Sequence, residues 1–210
     1  MKLLFISLGC DKNLVDSEFM IGMLANEGIE LTDDENEADI IIVNSCCFIG
    51  DAKEESINTI LEMAQYKNTG KCRSLIVTGC LAQRYSDEIF KEIPEVDAIL
   101  GTNSYDSIVE AVKQTLEKKT YKNLHTLEGL PTIKTKRLIT TGGHYAYLKI
   151  AEGCNKNCTY CVIPSVRGRY RSVPMEDLIE QAESLVRSGV KELILVAQET
   201  TLYGMDLYGK

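Results

Sequence analysis

The chain has 210 residues, enough for one large domain or two small ones, and its 44% hydrophobic content with only four prolines describes a folded globular protein and excludes a disordered one. A formal net charge of −8 gives no general electrostatic footprint for nucleic acid. The opening apolar run, Leu3 to Leu8, falls short of the roughly 7–15 residues of a signal peptide core, and no run of about 18 apolar residues could span a membrane. A cytoplasmic protein is expected, whose eight cysteines are metal ligands or free thiols, not disulfides.

In chain order, apolar strands alternate with helical patterns. Strands are expected at 2–8, 39–44, 74–79 and 97–100, and helices at about 13–27, 51–66, 85–92 and 105–118. Gly28 is placed to cap the first helix, and Asp51 with Glu54 resembles a capping box before the second. Near-continuous apolar strands between helices indicate βαβ units and a parallel sheet covered on both faces, an α/β fold. This gives a first domain over 1–120 and a polar, glycine-containing connector over 121–144. A second block at 145–210 starts with "YAYLKIA" and continues through a cysteine loop, a helix near 175–188 and the strand "ELILVA" at 192–197.

Cysteines follow three of the strands directly: Cys10, Cys46 and Cys80. In a parallel sheet all strand carboxyl ends share one edge, where ligands bind, so three distant thiols reach one rim. Structural thiols are the plainer alternative, because cysteine is among the most buried residue types. "EGCNKNCTYCVIP" adds a second triad, Cys154, Cys158 and Cys161, with C-x3-C-x2-C spacing and no fourth ligand nearby. Three thiolates on a four-iron cluster leave one iron open to a small molecule, and two such sites match the count of thiols. A structural zinc loop borrowing a distant cysteine or His144 is the competing reading of 154–161. Cys72 reads as an ordinary free thiol.

The second triad, with Tyr160 before its last cysteine, resembles the radical S-adenosylmethionine signature. Together with "SLGCDKNLVDSE", "NSCCFIGDAKEESI", "VTGCLAQRY", "YLKIAEGCNKNCTYCVIPSVRGRYRS" and "LILVAQETTLYGMDLYGK", it makes nearly the whole chain resemble a radical S-adenosylmethionine methylthiotransferase. "GCDKNLVDSE" and "IPSVRGRYR" resemble the branch acting on an aspartate β-carbon of a small-subunit ribosomal protein. The branch acting on transfer RNA adenosine reads G-C-Q-M-N and V-P-Y-T-R-G at those places. A non-catalytic iron–sulfur or zinc module is the alternative from another class.

The resemblance implies two [4Fe–4S] clusters, one on Cys10, Cys46 and Cys80 and one on Cys154, Cys158 and Cys161, with S-adenosylmethionine completing the second. It implies an electron donor such as flavodoxin, a Rossmann- or flavodoxin-like first domain, and the start of a partial β/α barrel in the second block. The remainder of that barrel and a small β-barrel domain are expected to lie beyond this sequence, leaving these 210 residues inactive alone. Cys47 stands where the family usually has glycine, and alignment favours its neighbour Cys46 as the ligand. Tyr160 is expected beside the adenine and Gln198 in the same pocket, while a packing aromatic is the plain reading of Tyr160. Arg167, Arg169 and Arg171 meet either a carboxylate or solvent, and Asp16 and Glu18 read as decoration of an exposed helix face.

Overall fold

The computed structural model describes residues 1–131 and 137–209, so part of the expected connector (132–136) and Lys210 lie outside the described residues. The first block runs β1 (Lys2–Ser7), α1 (Asp11–Asn26), β2 (Glu30–Leu31), β3 (Ile40–Ser45), α2 (Gly50–Thr69) and β4 (Ser74–Gly79). It continues with α3 (Cys80–Glu92), β5 (Ala98–Leu100), α4 (Ile108–Leu116) and β6 (Tyr121–Asn123). The strands form one parallel sheet in the order β2-β1-β3-β4-β5-β6. That is the doubly wound pattern in which the order reverses between β1 and β3, opening a crevice beyond their carboxyl ends.

Alternation along the central strands assigns the helices to the two faces. Ile41, Val43, Leu75, Val77 and Ile99 pack with Ile60 and Met63 of α2 and Leu81 and Ile89 of α3. Their neighbours Ile40, Ile42, Ile76, Ala98 and Leu100 pack on the other face with Met20 and Leu24 of α1 and Ile108 and Val112 of α4. Both faces are buried, which is why β3 and β4 are apolar for most of their length.

The second block contains β7 (Tyr145–Lys149), β8 (Ala151–Glu152), α5 (Ile163–Arg167), β9 (Arg171–Ser172), α6 (Met175–Arg187), β10 (Glu192–Val196) and α7 (Met205–Tyr208). β7 and β10 pair in parallel, and β8 and β9 pair antiparallel. On α6, Leu178, Ala182 and Leu185 recur at helical spacing and close a small core with Ala146, Leu148, Ile150 and Val190. Among the described residues, no helix is long and apolar enough to cross a membrane.

Four expectations are corrected. The helix expected at 85–92 starts at Cys80, and a short 3₁₀ turn, Tyr105–Ser107, precedes α4. Strands β2 and β6 were not foreseen, and β6 lies within the stretch read as connector. Helix α2 has Ile49 at its N-cap and no side-chain cap, so Asp51 serves only as an acidic residue in the first turn. Gly28 does close α1: its N–H donates to Ala25 O at 3.0 Å and that of Ile29 to Leu24 O at 3.2 Å, a Schellman ending.

Two glycines with positive φ separate backbone strain from crowding. Gly28 has φ +77° and open space where a Cβ would stand, whereas a Cβ at Gly79 (φ +89°) would lie 2.3 Å from Asn44 Oδ1 and 2.4 Å from Ser45 O. Gly28→Ala should cost about 1–2 kcal/mol, the left-handed penalty alone. Gly79→Ala should cost roughly 3 kcal/mol or more, because overpacking adds to backbone strain. Urea unfolding of both variants measures the difference.

Candidate functional site

Strands β1, β3 and β4 are hydrogen-bonded neighbours, and each ends in a loop or helix start that carries a cysteine. Cys10 is the N-cap residue of α1, Cys46 follows β3, and Cys80 opens α3. Cys10 and Cys46 thereby flank the crevice where strand order reverses. A Cβ at Gly9 would stand 2.8 Å from Cys46 Cβ and 3.0 Å from its Sγ, so only glycine lets the two loops approach this closely.

Asn13, fully buried on α1, fastens the rim. Its Nδ2 donates to Leu8 O at 2.9 Å and to Ser45 O at 3.1 Å, and its Oδ1 faces the Cys80 thiol at 4.0 Å. Ser56 Oγ accepts from Cys46 N and donates to Cys46 O, both at 2.9 Å, fixing that loop from α2. Cys47 is buried in the core cluster that also holds residues of α2 and α3, with Cys80 nearby. Burial chiefly, with the nearby Cys80 and Cys46, pushes its thiol up to about 11. Burial likewise pushes Cys72 up to about 11.

The second triad lies past the carboxyl end of β7, on the loop between β8 and α5. Gly153 (φ +78°) lets the loop turn where a Cβ would collide with Arg169 O at 2.2 Å, and Cys154 N donates to Gly168 O at 3.1 Å. Cys161 N donates to Cys158 O at 3.0 Å, and Lys156 N to Cys154 Sγ at 3.4 Å. Cys158 is exposed, and Cys154 and Cys161 are half-buried. His144 sits at the opposite end of β7, stacked edge-on against Tyr145 at 5.0 Å, which places it away from this loop. Tyr160 at the loop tip is 90% exposed and packs into no core. Gln198 Nε2 donates to Glu152 Oε1 at 2.8 Å, and its own Oε1 is buried with no hydrogen-bond partner among the described residues.

The residues that sequence reasoning set aside join the two blocks. Arg167 at the end of α5 is only 2% exposed, not on a solvated loop. Its Nη1 donates to Asp16 Oδ2 at 2.8 Å and to Glu152 Oε2 at 3.1 Å, its Nη2 to Asn13 Oδ1, and its Nε to Cys80 Sγ at 3.4 Å. Lys149 Nζ donates to Asp16 and, at 2.8 Å, to Glu152 Oε2. Two cations and two carboxylates thus share one dry space. Burial alone would lower Lys149, but Asp16 and Glu152 more than offset it and the ammonium is held charged. Burial would raise Glu152, yet Arg167 and Lys149 carry its carboxyl below the usual range.

Glu18, read as surface decoration, is buried as well. It pairs with Arg137 at 3.0 Å and accepts from Thr140 N at 2.7 Å. Arg171 is buried against Leu127 O and Arg169 O, and only Arg169 of the three arginines is exposed. The missed signal was the (i, i+2) acidic pair on a helix whose Asn13 and Ser17 are buried as well, on a face that a second block covers.

Among the described residues, no three His, Cys, Asp or Glu side chains converge as a single-ion site would require. The donor chemistry of both triads is that of thiols alone, set in loops shaped by Gly9 and Gly153, and it fits soft metal–sulfur groups. A cavity of about 180 Å³ lies beside Cys10, lined by residues that include Ser7, Asp11, Tyr145 and Tyr147.

Residues 2–101 match the family described as uncharacterized protein family UPF0004, and residues 148–208 match the radical SAM superfamily. The chain is similar to the ribosomal protein uS12 methylthiotransferase RimO of Lachnoclostridium phytofermentans, with 64% identity over all of this chain and 48% of that protein. It is 57% identical to the protein of that name from Acetivibrio thermocellus, over 98% of this chain and 47% of the relative. For Clostridioides difficile the identity is 54%, over 100% and 47%. The chain spans about half the length of the curated relatives it matches.

Asp16→Ala should cost about 3–5 kcal/mol, because it leaves Lys149 and Arg167 with too little buried negative charge. Glu183→Ala, which breaks the exposed pair with Arg187 on α6, should leave the urea midpoint where it is. Thiol accessibility gives a second check. At pH 8 in metal-free protein, iodoacetamide should label Cys10 and Cys158 first, while Cys47 and Cys72, buried and protonated, react only on unfolding. Peptide mass mapping over time reads the order.

Proposed function

Because the chain belongs to the radical S-adenosylmethionine methylthiotransferase family, we propose that it carries the metal–sulfur sites of an enzyme that methylthiolates the β-carbon of an aspartate in ribosomal protein uS12. Membership implies S-adenosylmethionine and iron–sulfur clusters. In this reading there are two [4Fe–4S] clusters, one on Cys10, Cys46 and Cys80 in the first domain, which β6 extends to Asn123, the other on Cys154, Cys158 and Cys161 within 145–210, with 124–144 as connector. The observation that carries it is the rim of three thiols from three adjacent strands, tied through Asn13 and Arg167 to the block bearing the second triad. The electron donor is a protein such as flavodoxin, and the setting is the cytoplasm, where ribosomal proteins work.

When bound, S-adenosylmethionine and the clusters supply a carbon radical able to take hydrogen from an unactivated C–H bond, and a sulfur to replace it, which acid–base groups at neutral pH do not. The chain's own residues hold and orient. Three thiols per site leave one position for a small molecule. Gln198, locked to Glu152 through its amide nitrogen, offers its unpaired Oε1 to a donor group such as the cosubstrate's amine. Tyr160 stands free at the loop tip to cover an adenine ring. Cys46, which lies against Gly9 where the loops after β1 and β3 meet, serves as ligand in preference to Cys47.

Anaerobic reconstitution should give about eight irons per chain, and about four after alanine replaces Cys154, Cys158 and Cys161. A plateau at four in the unaltered protein would remove one site. In the full-length protein, alanine at Cys10, Cys46 and Cys80 should leave deoxyadenosine formation intact and abolish methylthiolated uS12, both read by mass spectrometry. A methylthiolated transfer RNA in place of uS12 would overturn the substrate.

A further inference from the structure

The Arg167 guanidinium has five N–H donors, and four of them are committed: one to the Cys80 sulfur, two to carboxylates and one to the Asn13 amide oxygen. A side chain held in this way has no freedom to swing toward a carboxylate in an open pocket. Its contact with sulfur is directed as well, because Nε carries a single hydrogen and that hydrogen faces Cys80 Sγ at 3.4 Å. Arg167 does not belong to the block that bears Cys80. It ends α5, a five-residue helix that begins two residues after Cys161, and Val166 beside it packs into the core of the first block while its carbonyl accepts from Thr102 Oγ1 at 2.5 Å. The 154–161 loop and Arg167 therefore lie on one short segment of chain that is anchored against the first block.

Hydrogen bonds to ligating sulfur and nearby positive charge both favour the more negative, reduced state of an iron–sulfur cluster. We propose that Arg167 is a positioning residue of the first cysteine site: it fixes the Cys80 side chain and raises the reduction potential of the group held there. This rests on the reading that Cys10, Cys46 and Cys80 hold an iron–sulfur cluster. Asp16 and Glu152 have the supporting part. They hold the guanidinium in place and neutralise it, and neither donates to sulfur.

The test uses the whole chain with Cys154, Cys158 and Cys161 replaced by alanine, so that only the first site can load, reconstituted with iron and sulfide. Iron content is measured, and a redox titration followed by electron paramagnetic resonance gives the midpoint potential. Arg167→Gln and Arg167→Lys should both retain iron. The midpoint should fall furthest for Gln, which loses charge and fork, and less for Lys, which keeps the charge and lies too short to serve all four partners. Asp16→Asn, which removes a carboxylate and touches no sulfur, should leave the midpoint unchanged or raise it. A background protein that takes up no iron removes the first site and the proposal with it. Iron present with the same midpoint in both Arg167 variants overturns the role of Arg167 and leaves the site standing. An equal fall in Asp16→Asn overturns it too, because loosening of the interface would then account for the shift. If Arg167→Gln does not fold, Arg167→Lys alone decides, and an unchanged midpoint is the negative result.

Discussion

A charge moved out of water must find an opposite charge at bonding distance, or the fold that buries it does not form. Lys149 and Arg167 from the second block meet Asp16 from the first and Glu152 from the second in one enclosed space, and neither block satisfies its own members. The first block alone would leave Asp16 without a cation, and the second alone would leave two cations with one carboxylate. Docking is thus set by charge balance as much as by the apolar contact of Val166. Direction comes from the planar Arg167 fork, which fits carboxylate and amide oxygens only at one orientation.

The same interaction reaches the thiol rim. Asn13 links the Leu8 and Ser45 carbonyls to Arg167, so the loops carrying Cys10 and Cys46 and the helix start at Cys80 share one frame with the second block. A doubly wound fold commonly offers backbone N–H groups to a phosphate at this crevice. Here the three positions beyond β1, β3 and β4 present sulfur instead, on a scaffold that glycines at 9 and 79 allow to close tightly. Exposure is concentrated on the second loop, where Cys158 and Tyr160 stand open to solvent.

The central sheet was legible because β1, β3 and β4 are apolar runs with a cysteine just past each end, and parallel topology alone brings such ends together. The edge strands were not, since Glu30–Leu31 and Tyr121–Asn123 are short and mostly polar, and only their neighbours make them strands. Asp16, Glu18 and Arg167 were misjudged for a common reason. Local spacing assigns charged residues to water, but α1 lies between the sheet and β7, so the face that one block would leave wet is covered by the other. Partner choice across more than a hundred residues has no local signature.

The Arg167–Asp16 pair spans 151 positions of sequence, which has a consequence during synthesis. At 5–20 residues per second, roughly 8 to 30 s separate the two residues as they are made. In that interval β1, β3 and β4 are already available to pair, and the carboxylate of Asp16 stays hydrated at no cost. The thiols of the first rim meet the cell before the arginine that will press on Cys80 exists. A nascent chain thus offers these sulfurs from the open side, and the arrival of α5 covers Cys80 while Cys10 stays exposed.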